Sequence, residues 1–166
     1  MQLNFKEIHM TLHMKLLKVA VLAFSVGFAG AASAHADEYL DTVKAPNGGQ
    51  LRMAGMYHYE LVIKPTGKGN TNDVLVYVTD HGDQQVETKG ASGTATILAG
   101  SKASVVLKPE GKNLMKGSGN FGLTPNLKAV VSIVMPGQPA EQARFTPLAA
   151  GHAPVAAGHG KDGKKH

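Results

Sequence analysis

Residues 55–64, GMYHYELVIK, alternate in side-chain character along the chain, and this period of two predicts a β-strand. Successive side chains of a strand point to opposite faces of its sheet. One face of this segment is apolar, which predicts the side that packs into a core: Tyr57, Tyr59, Leu61 and Ile63. The other face is mixed: His58, Glu60, Val62 and Lys64. A histidine and a glutamate side by side there are compatible with two metal ligands or with two solvated surface residues.

Similar short runs recur along the chain, separated by turn residues every eight to twelve positions. The eight candidate strands cover 49–55, 57–64, 73–80, 93–99, 104–109, 114–121, 128–135 and 142–147. This spacing predicts an all-β fold, an antiparallel β-sandwich that is immunoglobulin-like or a small barrel, with seven or eight short strands. The run VVSIVM at 130–135 is apolar on both faces and predicts a central strand. Gly100 suits a tight hairpin turn.

The two ends of the chain differ from this pattern. Residues 14–36 have a basic start, an apolar run and a small-residue cleavage pattern, which predict a secretory signal peptide and export to the periplasm. We therefore expect an upstream extension plus signal at 1–34, an acidic lead at 35–46, and the β-domain at 47–148. Residues 149–166 are rich in glycine, alanine, histidine and lysine, and we expect a disordered tail there.

Composition narrows the function classes. The chain has no cysteine, so disulfides and thiolate metal sites are excluded. The formal charge of +5 falls to near +1 for the folded part, because the leader and the tail each carry about +2. Nucleic-acid binding therefore has little support, and no second apolar run is long enough to span a membrane. No nucleophile elbow or phosphate cradle is present, so we expect neither an enzyme nor an organic cofactor.

A hairpin between 57–64 and 73–80 brings several metal-ligating residue types together. The connecting loop PTGKGNTN at 65–72 contains glycines that accept positive φ. If the strands pair about residue 69, position 58 lies opposite position 80. The predicted site then has His58 and His81 as primary ligands, and Glu60 and Asp80 complete or orient it. Imidazole and carboxylate groups suit Zn²⁺ and Cu²⁺. The prediction depends on the register, because a slip of one residue would send His58 and Asp80 to different faces of the sheet.

Three other metal sites are compatible with the sequence. Met53 and Met56 precede His58, and thioethers select Cu(I), although methionine is also common core filler. Cleavage after Ala34 would make His35 the first residue, whose free amine and imidazole could chelate copper, whereas cleavage after Ala36 would remove it. The tail histidines recur every seven residues and could bind metal weakly: His152, His159 and His166.

Four segments together resemble a known family. They are APNGGQL at 45–51, AGMYHYELV at 54–62, LVYVTDHGDQ at 75–84 and GASGTATIL at 90–98. Their order and spacing resemble a small periplasmic β-domain associated with bacterial heavy-metal efflux systems, which occurs alone or joined to the periplasmic adaptor subunit. The resemblance covers about residues 45–147 and implies a stand-alone member in a metal-resistance context. One departure is Asn47, where the family pattern has a histidine.

Residue chemistry and resemblance together predict a periplasmic protein that binds copper or zinc. Its expected role is metal homeostasis or resistance, by buffering or by delivery to an efflux system. The alternative is a metal-free sandwich module that docks on a periplasmic protein such as an efflux adaptor. Under that alternative the surface around His58 is ordinary, and the function lies in a strand edge or in the glycine-rich loops.

Overall fold

A computed structural model describes residues 37–149, and this part of the chain is an antiparallel all-β domain. The predicted signal peptide and almost all of the predicted tail lie outside the described residues. Eight strands follow one another along the chain: β1 (Gln50–Ala54), β2 (Tyr57–Lys68), β3 (Thr71–Asp80), β4 (Ser92–Ala99), β5 (Ser101–Pro109), β6 (Leu114–Asn120), β7 (Lys128–Val134) and β8 (Ala140–Phe145). The predicted all-β class and strand number are confirmed, and each candidate strand overlaps an observed one.

The strands form one strongly bent sheet in the order β1-β2-β3-β6-β5-β4-β7-β8. β5 makes the corner, because it pairs with β4 from Ser101 to Leu107 and with β6 at Lys108 and Pro109. The two end strands come back together, where the backbone amide of Thr146 donates to the side-chain oxygen of Gln50 at 2.8 Å. The result is a nearly closed, barrel-like sheet, which is the small-barrel form of the predicted fold.

The core fills the inside of this barrel with aliphatic side chains from every strand. The predicted apolar face of β2 points inward, and Tyr59 and Leu61 are fully buried. Burial raises the pKa of the Tyr59 phenol far above its ordinary value, and the neighbouring Glu141 and Tyr57 raise it further. β7 has partners on both sides, as a central strand must, but Val134 on its outer face is 42% exposed. β7 is therefore central in the sheet, but it is buried on its inner face only.

The register of the β2–β3 hairpin differs from the prediction by one residue. Asp80 pairs with Tyr57, and His58 pairs with Thr79, so the predicted pairing of positions 58 and 80 is wrong. The cause is a bulge between Pro65 and Lys68, where β2 contains two residues more than β3. Gly67 provides the positive φ of 75° that this bulge requires. The shift puts His58 and Asp80 at positions that face opposite sides of the sheet.

The described part of the lead segment packs on β1. Residues 37–40 form one helical turn, and Leu40 is buried. Asp37 accepts a hydrogen bond from the Met53 backbone amide at 3.0 Å, and the Arg52 guanidinium pairs with both Asp37 and Asp41. The lead thus covers the outer edge of β1, which would otherwise present unpaired backbone groups. Within residues 37–149 no helix has the length and apolar character needed to cross a bilayer.

Candidate metal site

The chain has eight histidines, and the two that fall within the described residues lie against each other. The rings of His58 and His81 stack with centroids 5.1 Å apart and planes inclined by 27°. His58 stands on the outer face of β2, and His81 is the first residue after β3. The predicted convergence of these two histidines is confirmed although the predicted register is wrong, because His81 lies in the turn, beyond the ladder that the register governs.

One ring nitrogen of His81 is oriented by the β1–β2 turn. Nε2 lies 3.2 Å from the carbonyl oxygen of Gly55. A carbonyl oxygen only accepts hydrogen bonds, so in neutral His81 the proton is on Nε2 and the lone pair is on Nδ1. The His81 residue as a whole is exposed. Nδ1 is therefore available as a ligand atom in a position that solvent ions can reach.

In His58 the nitrogen that faces a protein oxygen is Nδ1, the opposite one from His81. The His58 side chain is 12% exposed, and its Nδ1 is buried without a hydrogen-bond partner. The facing charged atom is Oδ1 of Asp83, at 3.5 Å from Nδ1. A small closing movement would turn this contact into a hydrogen bond from Nδ1–H, which leaves the lone pair on Nε2.

Asp83 is a candidate site residue that the sequence reasoning missed. It adopts a positive φ of 59°, which is uncommon for a residue other than glycine, and its side chain is 86% exposed. The sequence signal was DHGD at 80–83, where a second acid follows the glycine of the turn. That turn points its second carboxylate toward His58, whereas sequence reasoning selected the first one.

Glu60 does not face solvent, in contrast to the expectation of a wet outer face. It is 3% exposed, and its carboxylate accepts three hydrogen bonds from the segment just before β1. The Asn47 backbone amide and side-chain amide donate at 2.8 Å each, and the Gly49 amide donates at 2.9 Å. Glu60 therefore anchors the 47–49 turn onto β2. The hydrogen bonds of its carboxylate come from this turn and from neither histidine.

Asp80 also has a local structural role. Its Oδ1 accepts hydrogen bonds from the backbone amides of Gly82, at 2.8 Å, and Gln84, at 2.9 Å. This arrangement is an Asx-type turn, in which an aspartate side chain replaces a backbone acceptor. The bonds fix the bend that carries His81 and Asp83 toward His58. Asp80 thus acts on the site through the shape of the turn.

The two candidate methionines lie on β1 and in the turn between β1 and β2. Met53 is directly opposite His58 in the β1–β2 ladder, so the two side chains share the outer face. Met56 is in the turn between β1 and β2, next to Gly55, and is 64% exposed. The remaining predicted metal ligands lie outside the described residues: His35, His152, His159 and the tail residue His166.

Among residues 37–149, no three or more histidine and carboxylate side chains converge as a ready set of metal ligands. A metal ion held by His58 and His81 would take its further ligands from thioether, backbone or solvent atoms. Comparison of the chain with protein-family models, curated proteins and solved structures finds no match. The resemblance to an efflux-associated family therefore stays a prediction.

Proposed function

We propose that this protein is a periplasmic metal-binding protein for copper or zinc, with His58 and His81 as its primary ligands. One observation carries the proposal: in each ring, one nitrogen is directed at a protein oxygen and the other is left as a ligand. Metal-ligating histidines nearly always have their second nitrogen held in this way, by a carbonyl or a carboxylate. Gly55 provides the carbonyl for His81, and Asp83 provides the carboxylate for His58.

The buried Nδ1 of His58 supports the same conclusion. A buried polar atom without a hydrogen bond costs about 1–3 kcal/mol, and such atoms in folded proteins usually have a specific explanation. Metal binding through Nε2 draws electron density from the ring and makes Nδ1–H a better donor to Asp83. The group that is unsatisfied in the free protein thus becomes satisfied when metal binds.

The role of such a site follows from its accessibility. His81 and Met56 are exposed, so an ion bound there is released without unfolding of the barrel. A site that solvent can reach suits a protein that buffers an ion and passes it on, whereas structural metal is held in sites closed to solvent. We therefore propose buffering or delivery to an efflux system, in keeping with the predicted export signal and the family resemblance.

Metal titration of variants tests this function. The background removes the terminal and tail sites but keeps the rest of the protein, because glutamine replaces the other histidines of the exported chain: His35, His152, His159 and His166. This chain and its His58→Ala, His81→Ala double variant are titrated with Zn²⁺, Cu²⁺ and, under anaerobic reducing conditions, Cu(I). We expect one equivalent of at least one ion to bind, and the double variant to lose it. Equal binding by both chains, or no binding by either, would reject the proposal.

A second candidate function is supported by a different surface. The outer face of β4, β5, β7 and β8, here called the basic face, carries four cations and no carboxylate: Lys102, Lys108, Lys128 and Arg144. The described domain as a whole has nearly balanced charge, so this face is unusually one-sided. Hydroxyl side chains and exposed Leu98, Val106 and Val134 fill the space between the cations.

Such a face favours docking on an acidic protein surface such as that of an efflux adaptor, which would make the domain an interaction module. Replacing Lys102, Lys128 and Arg144 with glutamine should weaken capture of the partner from periplasmic extract, and added salt should weaken it in the wild type. Capture that neither change affects would exclude the basic face. The metal titration is independent of this test, because the face does not include either histidine.

A further inference from the structure

We propose that the ion this site selects is Cu(I), with the thioether of Met53 as third ligand and that of Met56 as fourth. This inference rests on the proposed function, because it assigns the ion and the additional ligands to the same histidine pair. Thioether sulfur is a soft donor that selects cuprous copper, and imidazole also suits copper. The structure places Met53 opposite His58 in the β1–β2 ladder, and Met56 follows Gly55, whose carbonyl contacts His81.

Register fixes the position of Met53. It pairs with His58 across β1 and β2, and directly opposed residues have Cβ atoms about 4.5–5.5 Å apart on the same face. Its neighbours Arg52 and Ala54 are buried on the inner face, whereas Met53 is only half-buried on the outer face. The thioether of Met53 therefore extends from the point where His58 stands.

Met53 and Met56 differ from the methionines that serve as core filler. Met115 is fully buried and Met135 is 5% exposed, both within the core cluster. Met56 is 64% exposed although it is a large apolar side chain, and it follows Gly55, whose carbonyl orients His81. An unbranched side chain with three rotatable bonds reaches inward from such a turn without backbone movement. Two methionines outside the core thus lie on the strand and in the turn next to the histidine pair.

The two carboxylates that the sequence selected as ligands, Glu60 and Asp80, already have structural roles. Glu60 accepts three hydrogen bonds from the 47–49 turn, and the Asp80 carboxylate accepts two from its own turn. Using Glu60 for Zn²⁺ or Cu²⁺ would break bonds that shape the protein, and position 80 faces the opposite side of the sheet from His58. Asp83 faces His58 Nδ1, where it is a positioning residue that holds the ring. Two imidazole nitrogens together with the nearby thioether sulfurs of Met53 and Met56 form a donor set that matches Cu(I).

Competition titration with a chromogenic Cu(I) chelator tests the inference. The exported chain with the same histidines replaced by glutamine is compared with Met53→Leu, Met56→Leu and the double variant in that background. Leucine keeps the volume and apolar character of methionine but removes the sulfur. We expect Cu(I) affinity to fall at least about tenfold for Met53→Leu, which corresponds to about 1.4 kcal/mol, and further for the double variant. Zn²⁺ affinity should change less than about twofold, because zinc does not depend on thioether ligands.

Met135→Leu is the matched control, because it removes a core methionine far in sequence from the site. It should leave Cu(I) affinity unchanged. X-ray absorption of the Cu(I)-loaded protein provides a readout that a packing effect would not alter: sulfur scatterers should be present in the parent chain and absent from the double methionine variant.

The outcomes separate the two proposals. Cu(I) binding that needs His58 and His81 but shows no sulfur scatterer and no loss with leucine would overturn the methionine assignment while keeping a histidine metal site. Stronger binding of Zn²⁺ than of Cu(I) at that pair would overturn the choice of ion. Loss of binding in the leucine variants without any effect of the histidine substitutions would overturn the proposed function itself.

Discussion

Replacing Glu60 with alanine should lower the free energy of unfolding by about 3 kcal/mol and leave metal affinity unchanged. The buried carboxylate accepts three hydrogen bonds, two from Asn47 and one from Gly49. A hydrogen bond to a charged group contributes about 1.5–3 kcal/mol, so the three bonds set an upper bound of about 4.5–9 kcal/mol. Removing the charge also removes a desolvation cost of several kcal/mol, and exposed Asn47 regains water as a partner. The net loss is therefore about 3 kcal/mol.

Glu60→Gln is the conservative comparison. Its side-chain oxygen can still accept from the two backbone amides, and an Asn47 side chain turned by 180° can pair with the new amide. Only the charge assistance of the bonds is lost, so we expect a cost of about 1 kcal/mol. Glu87→Gln is the matched control, because the Glu87 side chain is exposed to solvent. It should change the free energy of unfolding by less than about 0.5 kcal/mol.

Urea unfolding followed by circular dichroism measures these differences, and thermal unfolding should show a decrease in Tm of about 10 °C for Glu60→Ala. The metal titration is repeated on Glu60→Gln. A cost below about 1 kcal/mol for the alanine variant would refute the anchoring role of Glu60. A Glu60→Gln chain that keeps its stability but loses metal affinity would show that the carboxylate is a ligand after all.

Three further predictions concern other contacts of the fold and the site. A Cβ at Gly49 would lie 2.3 Å from the Leu61 carbonyl oxygen, so Gly49→Ala should cost at least about 2 kcal/mol in urea unfolding. Gly111→Ala is the comparison: open space surrounds Gly111, and its positive φ should cost about 1 kcal/mol through backbone strain. The hydrogen bond from Ser118 and the ion pair with Lys116 lower the pKa of Asp73. Ionised Asp73 therefore stabilises the fold above the ordinary aspartate pKa of about 3.9, and this stabilisation is lost as the pH falls through the lowered pKa. Asp73→Asn should therefore cost about 0.5 kcal/mol at pH 7, since the pair is partly solvated, and less at pH 2; an equal cost at both would refute the assignment. Asp83→Asn should weaken metal binding up to about tenfold without changing stability, and unchanged affinity would exclude it as the partner of His58.

The strand pattern was predictable from sequence because it depends on local alternation. The inward face of β2, from Tyr57 to Ile63, is visible in the period of two, and the core follows from it. Register was not predictable at the same level, because it depends on how many residues the turn absorbs. The bulge at Thr66 and Gly67 takes two residues that an ideal hairpin would have paired. Thr66 stabilises it through a hydrogen bond from its hydroxyl to the Thr71 carbonyl at 2.7 Å, a contact that no periodicity reveals.

The site was predictable in part for a related reason. His58 and His81 could be paired because both flank the same hairpin, and a turn residue tolerates an error in register. The environment of Glu60 was hidden, since it depends on the 47–49 turn folding over the outer face of β2. The NGG motif at 47–49 was the available signal, because Gly49 permits a close approach of two backbones. The position of Met53 opposite His58 could not be predicted, because methionine is common in cores and the β1–β2 register is not visible in the sequence.

The most direct test of the central claim is the ¹⁵N spectrum of the two imidazoles during titration with Cu(I) and Zn²⁺, both of which are diamagnetic. We expect one equivalent of the bound ion to shift Nε2 of His58 and Nδ1 of His81, while Nδ1 of His58 and Nε2 of His81 keep their protons toward Asp83 and Gly55. Imidazole signals that stay unchanged while metal binds elsewhere in the chain would contradict the account.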